Sequence, residues 1–197
     1  AAAATTLRYH LTRELGMCCG GEMEVLVEPM IPAPFLVVCG GGHIAQALVP
    51  LAPPLGFVPI LVEDLEDLGN PQRFPQAAQI LDSFDPHDWK GLPLDERSYV
   101  VIVTRDHQVD QQLLEALLPY DLAYLGMIGS ERKVRMFRQR LTNKGASPER
   151  LDRVHAPIGL EIGAETPEEI ALSIAAELVR VRAARRAKDA AGVAPSR

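Results

Sequence analysis

The stretch Val37-Val38-Cys39-Gly40-Gly41-Gly42-His43-Ile44-Ala45 decides the fold. An apolar run ends in it and a helical pattern begins in it, so its glycines lie at a strand-to-helix turn in the pattern G-x-G-x-x-A. Gly40 permits a tight turn, Gly42 lets an anionic group approach the main chain, and the small Ala45 lets helix and strand pack closely. The stretch predicts a nucleotide-type anion site, and the alternative is a tight connection without a ligand. His43 could bind the ligand or cap the loop.

Apolar runs and helical patterns alternate along the rest of the chain. Nearly unbroken apolar runs are typical of strands that are buried on both faces of a parallel sheet. The alternation predicts an α/β fold, a doubly wound and mostly parallel Rossmann-like sheet. The prolines at 50, 53 and 54 predict a short or kinked first helix. The predicted strands are 35–39, 58–62, 79–81, 99–103 and 122–128, and the predicted helices are 44–55, 108–118, 131–143 and a last one that starts at the capping box 166–169.

A proline-rich segment divides the chain into unequal parts. Three prolines between residues 29 and 34 prevent regular structure and indicate a short, stiff linker. We therefore predict that residues 1–31 are the end of a smaller N-terminal domain with its linker, a short appendage to the sheet domain. Residues 32–188 form the Rossmann-like domain, and residues 189–197 form a tail.

Composition excludes several classes of protein. The chain has 197 residues, 20 basic and 26 acidic side chains and a net charge of −6, which argues against binding to nucleic acid. No apolar stretch reaches the roughly 18 residues of a membrane span, and no signal-peptide pattern is present. We expect no membrane contact and a cytoplasmic location. Three cysteines, two of them adjacent, are expected to be reduced thiols.

Acidic residues follow the second predicted strand. Glu63 and Asp64 lie about twenty residues beyond the glycine loop, where a carboxylate accepts the hydroxyl groups of a ribose. No basic residue follows them directly, so the pattern favours an unphosphorylated ribose.

Polar side chains also follow the fourth predicted strand, 99–103. Thr104, Asp106 and His107 come directly after it, and Asp110 lies just beyond. The acids and the histidine could bind a metal or act as acid and base, but aspartate is also a common helix N-cap.

Gly129, Ser130, Arg132 and Lys133 follow the fifth predicted strand, 122–128. Positive charge in the first turn of a helix opposes the helix dipole unless an anion is present. The two cations therefore indicate a phosphate-like ligand or an acidic partner, or else two solvated side chains.

His155, in a Gly/Pro-rich loop, could face the cleft or belong to a structural turn. Cys19, beside glycines, could bind a soft metal or be a small apolar residue.

Taken in order, these motifs resemble the XdhC/CoxI family of xanthine dehydrogenase accessory proteins over residues 14–182. In that family a Rossmann domain follows a smaller N-terminal domain. The residues that carry the resemblance are Cys19-Gly20-Gly21 with 25–28, the loop 40–45, Arg73-Phe74-Pro75, 104–107 with Asp110, 126–133, 155–160 and 166–177.

The resemblance implies a maturation factor that binds the molybdenum cofactor, as molybdopterin or its dinucleotide, and delivers it to a molybdenum hydroxylase such as xanthine dehydrogenase. It places the phosphates over Gly40 to Ala45 and near Ser130 and Arg132, and it makes Cys19 a candidate contact for molybdenum or its dithiolene. Arg105 stands where the family often has histidine. We expect a homo-oligomer, and a sulfur donor protein is a further candidate partner.

A nicotinamide-dependent oxidoreductase that uses the same loop for an NAD-like nucleotide is the alternative. Hydride transfer needs a substrate pocket with a positioned acid or base, commonly on a substantial second domain. Neither that domain nor a Tyr-x-x-x-Lys pair is found in the sequence, so we expect a cofactor-insertion chaperone without catalytic residues. A docking surface with no ligand is a third interpretation.

Overall fold

A computed structural model describes residues 4–18, 20–28, 30 and 32–192. Contacts within the chain divide it into two units, residues 33–182 and residues 1–32 together with 183–197. The predicted boundaries at residues 31 and 188 stay predictions. The strands are β1 (Thr5–His10), β2 (Glu22–Val27), β3 (Phe35–Cys39), β4 (Val58–Val62), β5 (Gln79–Leu81), β6 (Ser98–Ile102), β7 (Tyr124–Met127) and β8 (Val154–His155), and the helices are α1 (His43–Leu48), α2 (His107–Leu117), α3 (Glu131–Asn143), α4 (Pro148–Asp152) and α5 (Pro167–Gly192).

The larger unit is built on a six-stranded sheet in the order β5-β4-β3-β6-β7-β8. Every strand pair in it is parallel. The chain runs outward from β3 in one direction and then returns to continue from β6 in the other. This is a doubly wound α/β sheet, and the predicted fold class is confirmed. The strand order reverses between β3 and β6, where open α/β sheets bind their ligands.

Side chains pack on both faces of this sheet. Val37, Val100 and Ile102 face one cluster, which α2 and α3 complete with residues such as Leu113 and Phe137. The opposite face is covered by α1 and α5. Burial on both faces explains the nearly continuous apolar runs from which the strands were predicted.

The helices differ from the prediction mainly in their ends. The first helix is short, as predicted: α1 ends at Leu48 and passes into a 3-10 turn that contains Pro50. The last begins with the predicted capping box, in which the Glu169 carboxylate accepts from the Thr166 amide at 3.1 Å. The short elements α4 and β8 were not predicted. Nowhere in the described part of the chain is there a helix with the length and apolar character of a membrane span.

The smaller unit contains an antiparallel hairpin of β1 and β2. Leu7 pairs with Val25 and Tyr9 with Met23, so these side chains share one face of the hairpin. Arg8 pairs with Glu24 on the other face, where the two form an ion pair at 2.5 Å.

Candidate functional site

Gly40 lies where β3 meets the end of β6. Its φ is +112°, and a Cβ atom at this position would lie 2.6 Å from the Val103 carbonyl oxygen. Its amide donates to the Val62 carbonyl oxygen at 2.8 Å. Only glycine fits here, because both the backbone conformation and the neighbouring main chain exclude a side chain.

Gly41 is held through both its amide and its carbonyl group. Its amide donates to the Glu63 carboxylate at 2.7 Å, and its carbonyl accepts from the Arg73 guanidinium at 3.3 Å. A Cβ here would lie 2.6 Å from the Leu68 carbonyl oxygen. The loop is therefore fixed by the protein itself before any ligand binds.

Gly42 differs from its two neighbours because it is open. Its φ is −75°, and nothing lies within 4 Å of the position that a Cβ would take. The first amides of a helix have no acceptor within the helix, and no side chain among the described residues caps α1. His43 is exposed at this end and Ala45 is buried. An anionic group can therefore approach the main chain at Gly42.

The two acids after β4 have different environments. The Glu63 side chain is 1% exposed, and it accepts from the Gly41 amide, the Leu65 amide at 3.2 Å and Arg105 at 2.5 Å. Asp64 is exposed and pairs with the same guanidinium at 2.9 Å. The hydrogen bond from Arg105 lowers the pKa of Asp64.

Arg105 is the basic neighbour that the sequence pattern lacked. It lies 42 residues from Glu63 in the chain, and β3 separates β4 from β6 in the sheet. No basic residue follows the acids directly in the sequence, but Arg105 contacts both of them in the structure. The inference that the acids have no basic neighbour is therefore wrong. A ribose at this position would meet a guanidinium bound to both carboxylates.

Most of the polar side chains after β6 form hydrogen bonds with other groups of the protein. Thr104 donates to the Asp110 carboxylate at 2.6 Å, and Asp110 is fully buried. Asp106 caps α2 by accepting from the Gln108 amide at 2.7 Å, and His107 is exposed. The described residues contain no group of three or more His, Cys, Asp or Glu side chains that could hold a metal ion.

Lys133 forms an ion pair with a carboxylate inside the protein. Its ammonium group donates to the Asp110 carboxylate at 2.5 Å and to the Ile128 carbonyl at 2.9 Å, and its side chain is 9% exposed. Lys133 therefore gives no support to an external anion, whereas Arg132 beside it is exposed. Ser130 caps α3 through a long contact, 3.4 Å, with the Lys133 amide.

Next to Gly129 lies a cleft of about 300 Å³ at the carboxyl ends of β7 and β8. One wall is tied to the sheet, since the Ile158 amide donates to the Met127 carbonyl at 3.1 Å. The Ser173 hydroxyl donates to the Leu160 carbonyl at 2.6 Å and ties the same wall to α5. The residues that line it are Ile128, Gly129, Pro157, Ile158, Leu160, Glu161, Ile162, Gly163, Ala164, Ile170 and Ser173.

His155 belongs to a structural cluster. Its ring stacks on Tyr124 with 4.4 Å between centroids, and its Nδ1 lies 3.2 Å from the buried Glu177. Burial raises the pKa of Glu177, but contacts with His155, Tyr124 and the Gly159 amide together lower it from 4.5 to about 2. The cluster anchors α5 on β7 and β8.

Neither of the two described cysteines is among the residues that line the cleft. Cys39 is buried at the end of β3, where burial and then the nearby Asp110 raise the pKa of its thiol. Cys18 is exposed in the other unit. Cys19 lies outside the described residues, so its proposed contact stays a prediction.

The structure thus gathers the candidates at one edge of the sheet. The glycine loop, Glu63 and Asp64 meet Arg105 there, and Gly129 borders the cleft further along. Arg73 was not predicted as a site residue on its own chemistry, yet it holds the glycine loop. Its Nε atom is buried and has no hydrogen-bond partner among the described residues.

Comparison with known proteins identifies the family of this chain. A family model described as the XdhC Rossmann domain matches residues 36–178. The uncharacterized protein YqeB of Escherichia coli is 36% identical over 170 residues, which are 85% of this chain and 31% of that protein. A probable xanthine dehydrogenase subunit from Bacillus subtilis is 29% identical over 159 residues, 81% of this chain and 46% of that protein.

A solved structure shares the fold. A crystal structure described as a xanthine dehydrogenase from Bacillus halodurans superposes with a TM-score of 0.69 and 29% identity, covering 83% of this chain and 46% of that one. The chain therefore spans 31% to 46% of the length of these relatives. Since the family model covers most of the chain, the protein belongs to the XdhC family, and residues 36–178 are its Rossmann domain.

Proposed function

We propose that this chain is part of an accessory protein of xanthine dehydrogenase that binds the molybdenum cofactor and delivers it to that enzyme. The observation that carries the proposal is the open main chain at Gly42, in a loop whose other two glycines are fixed by the protein. The names of the Bacillus relatives support xanthine dehydrogenase as the recipient.

The residues at the loop fit a phosphate-bearing ligand. The space in front of Gly42 admits an anion, and the first amides of α1 can donate to it. The unpartnered Nε of Arg73 supplies a buried donor close to the same loop. Exposed Arg132, in the first turn of α3, adds positive charge at the same edge of the sheet.

The residues fit the ribose of a nucleotide less well. Glu63 is committed to Gly41, Leu65 and Arg105, so a ribose diol must compete with a guanidinium for the acids. Molybdopterin carries its phosphate without a nucleotide, and we therefore favour that form over the dinucleotide. In this role the chain binds, protects and releases its cargo, and its own residues break no bond.

The test is a matched pair of variants, Gly42→Glu and Gln139→Glu. Gly42 has an ordinary φ and open surroundings, so the new side chain is tolerated by the fold but blocks the main chain and repels phosphate. Gln139 is exposed on α3 and controls for the added charge. We expect Gly42→Glu to bind at least tenfold more weakly, because one charged hydrogen bond contributes about 1.5–3 kcal/mol.

Binding is measured with molybdopterin released anaerobically from a molybdenum enzyme, followed by fluorescence of the oxidised pterin that stays with the protein. Retention equal in wild type and Gly42→Glu would contradict the proposed site. Turnover of NADH or NAD⁺ with a candidate substrate, and no retention of molybdopterin, would favour the oxidoreductase.

A further inference from the structure

The cleft next to Gly129 has the properties of a preformed ligand site. Its volume, about 300 Å³, lies at the lower end of the range of ligand pockets, which suits one ring system rather than a dinucleotide. Most of its lining is apolar, and Glu161 is the only acidic residue among the described residues that line it. Gly163 contributes no side chain, and nothing lies within 4 Å of the position that its Cβ would take, so main chain is accessible there.

The walls of the cleft are held from both sides. On one side the Lys133 ammonium fixes the Ile128 carbonyl at 2.9 Å. On the other, the Leu160 amide donates to the Ser173 carbonyl at 3.3 Å, and the Gly159 amide donates to the Glu177 carboxylate at 2.9 Å. A cleft that is rigid before binding loses little entropy when a flat ligand enters.

The cleft lies on the same edge of the sheet as the glycine loop, two to three strands away in the order β3-β6-β7-β8. At about 4.8 Å between neighbouring strands, the two sites are roughly 10–14 Å apart. One small molecule with a phosphate at one end and a ring at the other can reach both.

We propose that this cleft binds the flat, pterin-type ring of the ligand whose phosphate lies on the glycine loop, with Glu161 accepting from the N–H groups at the edge of the ring. The choice of ring rests on the proposed function. Apolar walls contact the faces of a heterocycle, and a carboxylate pairs with its amino and ring N–H donors.

The test separates the ring from the phosphate. The probe for the cleft is 6-hydroxymethylpterin, which has no phosphate, and binding is measured by the change in its fluorescence. The probe for the glycine loop is inorganic pyrophosphate, measured by calorimetry. The variant is Ile162→Asn in the cleft, and the matched control is Leu172→Asn, because the two residues are 52% and 56% exposed and Leu172 does not line the cleft.

We expect Ile162→Asn to weaken binding of the pterin about tenfold, since an apolar contact of some 50 Å² contributes about 1.4 kcal/mol. Glu161→Gln is expected to weaken binding of the pterin about fivefold, because a hydrogen bond to a charged carboxylate is stronger than one to a neutral amide. Leu172→Asn should leave pterin binding unchanged.

Equal pterin binding by wild type and Ile162→Asn would overturn the inference, as would an equal loss in Ile162→Asn and Leu172→Asn. Its failure is distinct from that of the proposed function. If the pterin binds as expected while intact molybdopterin does not, the cleft stands and cofactor delivery fails. If molybdopterin binds through Gly42 but the pterin ignores the cleft variants, only the cleft is rejected.

Discussion

Replacing Lys133 by methionine should be among the most destabilising single changes in this domain. Lys133 and Asp110 face each other at 2.5 Å with side chains that are 9% and 1% exposed. Methionine keeps the length of the side chain but leaves the Asp110 carboxylate buried, with the Thr104 hydroxyl as its remaining close partner. Removing one member of a buried pair costs about 3–5 kcal/mol, because the other charge stays in a medium that solvates it poorly.

The same two helices supply the control. Lys144 follows α3 and pairs with Glu115 of α2 at 2.6 Å, but these side chains are 55% and 43% exposed. Exposed pairs contribute about 0–1 kcal/mol, so Lys144→Met should change stability little. The assay is urea unfolding at neutral pH, with Asp110→Asn and the Lys133→Met/Asp110→Asn double variant completing a cycle. Equal losses in Lys133→Met and Lys144→Met, or additive losses in the double variant, would refute the reasoning.

Two further outcomes follow from the glycine loop and from Glu177. Gly40→Ala should lower stability by at least 1–2 kcal/mol, from its φ of +112° and the approach to Val103, whereas Gly42→Ala should stay within about 0.5 kcal/mol in the same urea assay. The folded-state pKa of Glu177 is depressed, from 4.5 to about 2, so its contribution to stability is present above pH 4.5 and is lost as the pH falls towards 2. Unfolding curves from pH 6 to 2 should show wild type and Glu177→Gln converging in stability below pH 4.5, and a constant difference would contradict this.

The sheet could be predicted from the sequence because its signals are local. The runs at 35–39 and 58–62 coincide with β3 and β4, since strands that are buried on both faces show themselves as continuous apolar residues. The elements α4 and β8 have five and two residues, too few for any periodicity to appear. The helix ends of α2 differed by one residue from the predicted 108–118.

The partners inside the site were harder to predict because they are distant in the chain. Asp110 and Lys133 are 23 residues apart. A signal was present, however: Asp110 lies three and four residues before Leu113 and Leu114, on the apolar stripe of α2, and a buried acid requires a cation. The sequence shows two cations in the first turn of α3, but one of them, Lys133, is bound by this acid rather than by an external anion.

The arrangement at Glu63 differs from that of a dinucleotide site. In a dinucleotide site the acid after the second strand accepts ribose hydroxyls, but here the Glu63 carboxylate accepts from the Gly41 amide and is held by Arg105. A fixed internal acid keeps Gly41 in place without filling the space at Gly42, so the loop is rigid and open at once. Rigid donors lose little entropy when an anion binds, and the guanidinium raises the cost of admitting a ribose. The same contacts therefore favour a ligand whose phosphate is terminal over one whose phosphate leads into a nucleotide.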